Sequence, residues 1–156
     1  MLWLKPSFKS FALAALSILL LTSNPTALSA AEPEVSRVTV KVTGLRNTKG
    51  KVQIRLWNSK NGFPKDDSKA FRRVTVDIVD GGAMTTFADV PFGEYAVSAY
   101  HDENSNGKLD TRFPGIPTEG VAVSNDTHKK FGPPPFDSSR FSIREPEKMV
   151  PIVIEY

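Results

Sequence analysis

Cysteine is absent from this 156-residue chain, which excludes both a disulfide framework and the lipid-modified cysteine of a bacterial lipoprotein. Histidine is scarce, because the chain has only His101 and His128. A zinc site built from three nitrogen or sulfur ligands is therefore excluded as well. Without disulfides or zinc, a fold of this size has to be held together by its hydrophobic core.

A long apolar run occurs only near the N-terminus, over Phe11–Leu21. Lys5 and Lys9 precede this run, and a stretch of small residues, Ala27–Ala31, follows it. This pattern predicts a secretory signal peptide over residues 1–31, with an extension over 32–37 and one domain over 38–156. We expect a periplasmic or secreted protein with no membrane span in its mature chain.

A strong excess of one charge is also missing. The chain has 20 basic and 17 acidic residues, and loss of Lys5 and Lys9 with the leader would leave 18 basic against 17 acidic. This balance lacks the basic footprint of a nucleic-acid-binding protein, so no nucleic-acid partner is expected. Acids outnumber bases five to two between Asp102 and Asp126, so negative charge is concentrated in this part of the chain.

Apolar and polar residues alternate in several short segments, which is typical of half-buried β-strands. The alternation predicts one hairpin from Val38–Val42 and Val52–Leu56, and a second from Val74–Ile78 and Met84–Phe87. Each strand should have one face exposed to solvent. About seven short strands, long irregular loops and no amphipathic helix predict an all-β fold, a single antiparallel β-sandwich.

The most informative stretch is Asp102–Asp110, which follows the apolar run Tyr95–Tyr100. Oxygen-bearing side chains at loop positions one, three, five and nine, with glycine at position six, are typical of a calcium-binding loop. These residues are Asp102, Asn104, Asn106, Asp110 and Gly107. Lys108 at position seven and the more distant Glu119 complete the set of candidate metal ligands, and Ca²⁺ is the expected cofactor.

Position twelve of such a loop is ordinarily a bidentate glutamate, but here it is Phe113, so a complete EF-hand loop is absent. Glu119, which returns after the turn at Pro114–Gly115, is the candidate for the missing acid. Asn125 or Asp126 is a weaker candidate. Asp, Asn, Ser and Gly also gather in ordinary turns, so a turn without metal is the competing interpretation.

Other chemistry has less support. Strand alternation places His101 on the face opposite Asp102, so the two should not form a catalytic pair, and no catalytic residue is predicted. Four aromatic residues offer a possible binding surface, although core or rim positions are the simpler interpretation. They are Trp57, Phe92, Tyr100 and Phe136.

Several motifs follow one another in a specific order. They are Phe92–Val97, His101–Asp110, Gly115–Gly120 and Ser124–Asn125. The series resembles an uncharacterised family of exported bacterial proteins, the domain of unknown function numbered 2141, over most of the chain. The resemblance implies no known activity. The family's typical phrase Glu-Gly-aromatic-Gly-Phe-Ser-Asn departs here to Glu-Gly-Val-Ala-Val-Ser-Asn at residues 119–125, which lacks the aromatic residue and the second glycine.

More distantly, the proline and glycine turn before Tyr95 resembles transthyretin-like and collagen-adhesin B-type sandwich modules, some of which carry calcium loops. The functional hypothesis is an exported, non-enzymatic module, stabilised by calcium, that binds a protein or glycan through the loops after Asp102. The alternatives are a metal-dependent hydrolase that uses the same loop, and a structural subunit of an envelope assembly.

Overall fold

The computed structural model describes residues 34–126 and 132–156. The predicted signal peptide and His128 lie outside these residues. Glu32–Tyr156 form one compact unit. Strand β1 begins at Val35, three residues before the predicted start of the domain.

Ten strands account for about half of the described residues. They are β1 Val35–Thr43, β2 Lys51–Trp57, β3 Arg72–Asp77, β4 Ala83–Pro91, β5 Gly93–Asp102, β6 Thr111–Arg112, β7 Ile116–Pro117, β8 Val121–Val123, β9 Phe141–Ile143 and β10 Glu147–Val153. Two 3₁₀ turns, Asp67–Lys69 and Ser124–Asp126, and the short helix α1, Phe136–Ser139, lie in the connections. The predicted all-β class is confirmed, and none of the described helices is long and apolar enough to cross a membrane.

The strands form two main sheets that enclose one core. The first sheet has the order β10-β1-β4, and the second has the order β3-β2-β5-β8, with β9 pairing with β5. The alternating apolar residues of β1 (Val38, Val40, Val42) and of β2 (Val52, Ile54, Leu56) belong to the same buried cluster. Strands β6 and β7 form a separate two-stranded ribbon.

The strand pairing corrects the two predicted hairpins. Strand β1 pairs with β4 and with β10, the latter in parallel, whereas β2 pairs with β3 and β5. Strands β3 and β4 also lie in different sheets, linked at their turn by a single bridge between Val79 and Gly82. An apolar face looks the same in sequence whether the next strand lies beside it or across the core, so alternation alone could not decide this.

In the second sheet, strands β2 and β5 lack the solvent-exposed face that was expected of each strand. In β2 and β5 the outward side chains are buried as well as the inward ones. Trp57, Ala96 and Phe136 form a small second cluster there, with Phe63 and Ala70 packed against it. The segments that follow β2 and precede β9 therefore cover this face.

Candidate metal-binding loop

Asp102, the last residue of β5, is completely buried at the start of the loop. Its Oδ1 accepts the backbone N–H of Asn106 at 2.9 Å, and its Oδ2 accepts the backbone N–H of Gly107 at 2.8 Å. Gln53 on the neighbouring strand β2 also donates from Nε2 to Oδ2 at 3.1 Å. The carboxylate is therefore fixed by the loop in front of it and by the sheet behind it.

Asn104 and Asn106 repeat the same turn along the loop. The Oδ1 of Asn104 accepts the backbone N–H of Asn106 at 3.0 Å, and the Oδ1 of Asn106 accepts the backbone N–H of Lys108 at 2.8 Å. Each side chain thus hydrogen-bonds the backbone two residues ahead, as Asx turns do. The Lys108 side chain is exposed, and Leu109 is half-buried.

The carboxylate of Asp110 lies against both carboxamides. Asn104 donates from Nδ2 to Asp110 Oδ2 at 2.7 Å, and Asn106 donates from Nδ2 to Asp110 Oδ1 at 3.0 Å. The backbone N–H of Asn106 in turn contacts both Asp102 and Asn104. The structure therefore gathers the side chains predicted at positions one, three, five and nine into one connected group.

Glu119 is buried between the two ends of the loop. It is 6% exposed, and its two oxygens accept the backbone N–H groups of Glu103 and Asp110, each at 2.9 Å. No group of three His, Cys, Asp or Glu side chains able to hold a metal ion occurs within residues 34–126 and 132–156. The hydrogen bonds of Glu119 fasten the two ends of the loop together, and its role as a metal ligand stays a prediction. The weaker candidate, Asn125, donates to the carbonyl of Arg140.

Replacing Glu119 with alanine should lower the free energy of unfolding by about 2 kcal/mol, because the N–H groups of Glu103 and Asp110 lose a buried acceptor. Glu119→Gln keeps one oxygen and should cost less. Glu145→Ala is the control, because this exposed glutamate pairs with Lys148 at the surface and its loss should change stability little. Denaturant unfolding measures all three variants. Equal stabilities of the Glu119→Ala and Glu145→Ala variants would contradict the fastening role.

A polar layer beneath the loop was missed by sequence reasoning. The hydroxyl of Tyr100 donates to the carbonyl of Gly107 at 3.0 Å and accepts from Arg55 at 3.3 Å. Arg55 also forms a salt bridge with Asp67 at 2.5 Å. Burial raises the pKa of Tyr100, against the opposing charge of Arg55, so the hydroxyl keeps its proton at neutral pH. Polar residues on the second face of β2 indicated this layer in the sequence. The layer could be predicted from them only once β2 was known to pair with β5.

The side chain of His101 lies on the face of β5 opposite Asp102, as alternation predicted, and the two do not pair. Its Nε2 lies 2.7 Å from the carbonyl of Lys49, which can only accept, so Nε2 carries a proton. In the neutral ring, Nδ1 then accepts from the Tyr156 hydroxyl at 2.6 Å. Both nitrogens of this buried imidazole are therefore engaged in holding the chain together.

Glu103 lies at the same end of the sandwich. It pairs with Arg46 at 2.5 Å and accepts from Asn47 at 2.8 Å. Burial alone would raise the pKa of Glu103, but the hydrogen bonds from Asn47 and Arg46 and the charge of Arg46 outweigh it and hold the pKa below its ordinary value. Arg46 also stacks on the ring of Tyr156, with its guanidinium carbon 4.3 Å from the ring centroid.

The four aromatic residues proposed as a binding surface are not available for one. Trp57, Tyr100 and Phe136 are buried, and Phe92 is half-buried against the core. A cavity of about 540 Å³ opens instead on the flank between β3 and β4, lined by residues that include Phe71, Val74 and Phe87. None of its lining residues belongs to the Asp102–Asp110 loop.

Fold and loop together define an all-β sandwich domain that presents a fastened Asp and Asn loop at the end of a central strand. The chain belongs to the family DUF2141, described as an uncharacterized protein conserved in bacteria, whose model matches residues 40–150. No curated protein and no solved structure matches the chain. The matching family model confirms the family, while the more distant likeness to transthyretin-like modules stays a prediction.

Proposed function

We propose that this protein is an exported, non-enzymatic β-sandwich binding module whose Asp102–Asp110 loop binds calcium. The observation that carries the proposal is the preorganisation of the loop. Backbone N–H groups hold the oxygens of Asp102, Asn104 and Asn106, and Asp110 lies against both carboxamides. The leader-like pattern around Phe11–Leu21 supports export to the periplasm or beyond.

The donor set suits a hard cation that takes oxygen ligands. Asp102 and Asp110 would supply two carboxylates, Asn104 and Asn106 two amide oxygens, and Lys108 the backbone carbonyl used at position seven of such loops. An amide oxygen that accepts one N–H keeps a second lone pair for an ion. Since only two carboxylates take part, we expect weak binding, with a dissociation constant of about 0.1 to 1 mM, as in extracellular modules.

A non-enzymatic role is favoured over the metal-dependent hydrolase. A catalytic metal keeps an open position beside a pocket that holds the substrate. The cavity between β3 and β4 is formed by other parts of the chain than the loop. His101, the histidine closest to the loop in sequence, is buried with both nitrogens bonded and does not serve as a base there.

Calcium should raise the melting temperature of the protein. At about 1 mM calcium and a dissociation constant of about 0.1 mM, binding to the folded state adds about 1.4 kcal/mol. Asp110→Asn should remove most of this gain, because it deletes one of two carboxylates while keeping the size of the side chain. Asp77→Asn is the control, since Asp77 is an exposed aspartate that pairs with Lys51 outside the loop. An identical melting curve in chelator and in several millimolar calcium would contradict the proposal.

A further inference from the structure

Strands β6 and β7 form a short ribbon, Thr111–Thr118, that we call the finger; each of its residues is exposed. Phe113 at its turn is 96% exposed, and Ile116 on the returning strand is 47% exposed. The turn is closed by a hydrogen bond from Gly115 N–H to the Arg112 carbonyl at 2.7 Å. The finger thus holds a large apolar side chain in water at the tip of an ordered turn.

The base of the finger is anchored on the candidate calcium loop. The N–H of Thr118 donates to the carbonyl of Asp110 at 2.9 Å, which joins the last residue of the finger to the last residue of the loop. The N–H of Asp110 donates to Glu119, and Glu119 also accepts from Glu103. Loop and finger are therefore joined by one connected set of hydrogen bonds.

Charge is distributed unevenly around the finger. Its only charged residue is Arg112, and Lys108, four residues earlier in the chain, is exposed as well. The nearby acids are turned inward: Asp102 is fully buried, and Glu119 accepts two backbone N–H groups. Asp110 is half-buried against the carboxamides. The exposed charged side chains between residues 108 and 118 are therefore both positive.

We infer that the finger docks on a lipid bilayer rich in anionic headgroups, with Phe113 and Ile116 in the interface and Arg112 and Lys108 at the headgroups. This inference rests on the proposed function, because it names the partner of the same loops. An apolar insertion and a cationic contact together are the two signals that stable membrane attachment requires. The positive charges of Arg112 and Lys108 supply the cationic contact.

A protein or a glycan fits the finger less well. A stable protein interface buries about 800 Å² on each partner around a central anchor, whereas the exposed large apolar residues of the finger are only Phe113 and Ile116. A platform for stacking a sugar is also missing from the finger, because Phe113 is its single aromatic ring and Trp57, Tyr100 and Phe136 are buried. A small apolar tip beside cations suits a bilayer surface.

Cosedimentation with vesicles tests the inference on the compact unit Glu32–Tyr156, because the apolar run Phe11–Leu21 would itself bind lipid. Vesicles of equal parts phosphatidylglycerol and phosphatidylcholine should bind the protein, and vesicles of phosphatidylcholine alone should bind it much more weakly. Phe113→Ser should weaken binding to the anionic vesicles roughly tenfold or more. Replacing both Arg112 and Lys108 with glutamine should also weaken it.

Met149→Ser is the matched control, since Met149 is 62% exposed on β10 of the other sheet and should leave vesicle binding unchanged. Lys65→Gln, in an exposed loop position, is the control for charge. The melting temperature of every variant shows that it is folded. A Phe113→Trp variant should give a blue shift of emission with anionic vesicles that the parent, with Trp57 alone in this unit, does not give.

Binding of the parent to neither kind of vesicle would overturn the inference and leave a pocket in a partner protein as the role of Phe113. Equal binding to anionic and neutral vesicles would overturn it too, as would full binding by the Phe113→Ser variant. Calcium binding is measured without lipid. A protein that responds to calcium but ignores vesicles would therefore disprove the membrane partner and leave the calcium loop standing.

Discussion

Replacing Asp102 with alanine is expected to lower the free energy of unfolding by about 3 kcal/mol and to abolish the stabilisation by calcium. The carboxylate is fully buried and accepts from three donors: Asn106 N–H, Gly107 N–H and the Gln53 amide. Each buried donor that loses its partner costs about 1 to 3 kcal/mol. The loop can turn part of its backbone to water, which keeps the total near the lower end of the sum. Denaturant unfolding and melting with and without calcium measure the two effects.

Asp102→Asn and Asp77→Ala serve as comparisons for this variant. Asp102→Asn keeps one acceptor oxygen but loses the charge, so it should be less destabilised than the alanine variant and still fail to respond to calcium. Asp77→Ala removes an exposed carboxylate whose salt bridge to Lys51 contributes little. If the alanine variants at 102 and 77 were equally stable, the role of Asp102 in ordering the loop would be refuted.

Gly50→Ala should cost about 3 kcal/mol or more, because the turn between β1 and β2 presses directly against the start of the loop. A Cβ at position 50 would lie 1.9 Å from the backbone oxygen of Asp102 and 2.7 Å from the backbone of Glu103. The positive φ of +71° adds the strain of a left-handed conformation. Since the clash is with backbone, it can be relieved only by moving the turn or the loop. Chemical denaturation measures the loss.

Gly81→Ala separates the clash from the backbone strain. Gly81 has nearly the same φ, +74°, but nothing lies within 4 Å of the Cβ that would be added. Its replacement should therefore cost only about 1 to 2 kcal/mol. Equal losses at positions 50 and 81 would mean that the contact between the turn and Asp102 contributes nothing.

The parts of the fold that could be predicted are those set by local pattern. Alternation placed Val38, Val40 and Val42 on the core face of β1 and turned His101 away from Asp102, as the structure confirms. Local pattern could not assign β1 and β2 to different sheets, because pairing depends on which surfaces meet across the core. The covering of Trp57 and Tyr100 also depends on distant segments and has no local signal.

The candidate site also has one part that local sequence pattern could predict and another part that it could not. The contacts among Asp102, Asn104, Asn106 and Asp110 follow from the local spacing, since each contact spans only a few residues. The place of Glu119 could not be predicted, because it depends on how the finger returns. Its residue type was informative, but a buried carboxylate can serve backbone N–H groups as well as a cation.

The most direct test is a calcium titration followed by nuclear magnetic resonance of the backbone amides. The amides of Asn106, Gly107 and Lys108 donate to the oxygens of Asp102, Asn104 and Asn106. Their resonances should shift and saturate with a dissociation constant of about 0.1 to 1 mM. Unchanged resonances of these three amides, or weak shifts scattered over exposed acids such as Glu145 without saturation, would contradict the calcium loop.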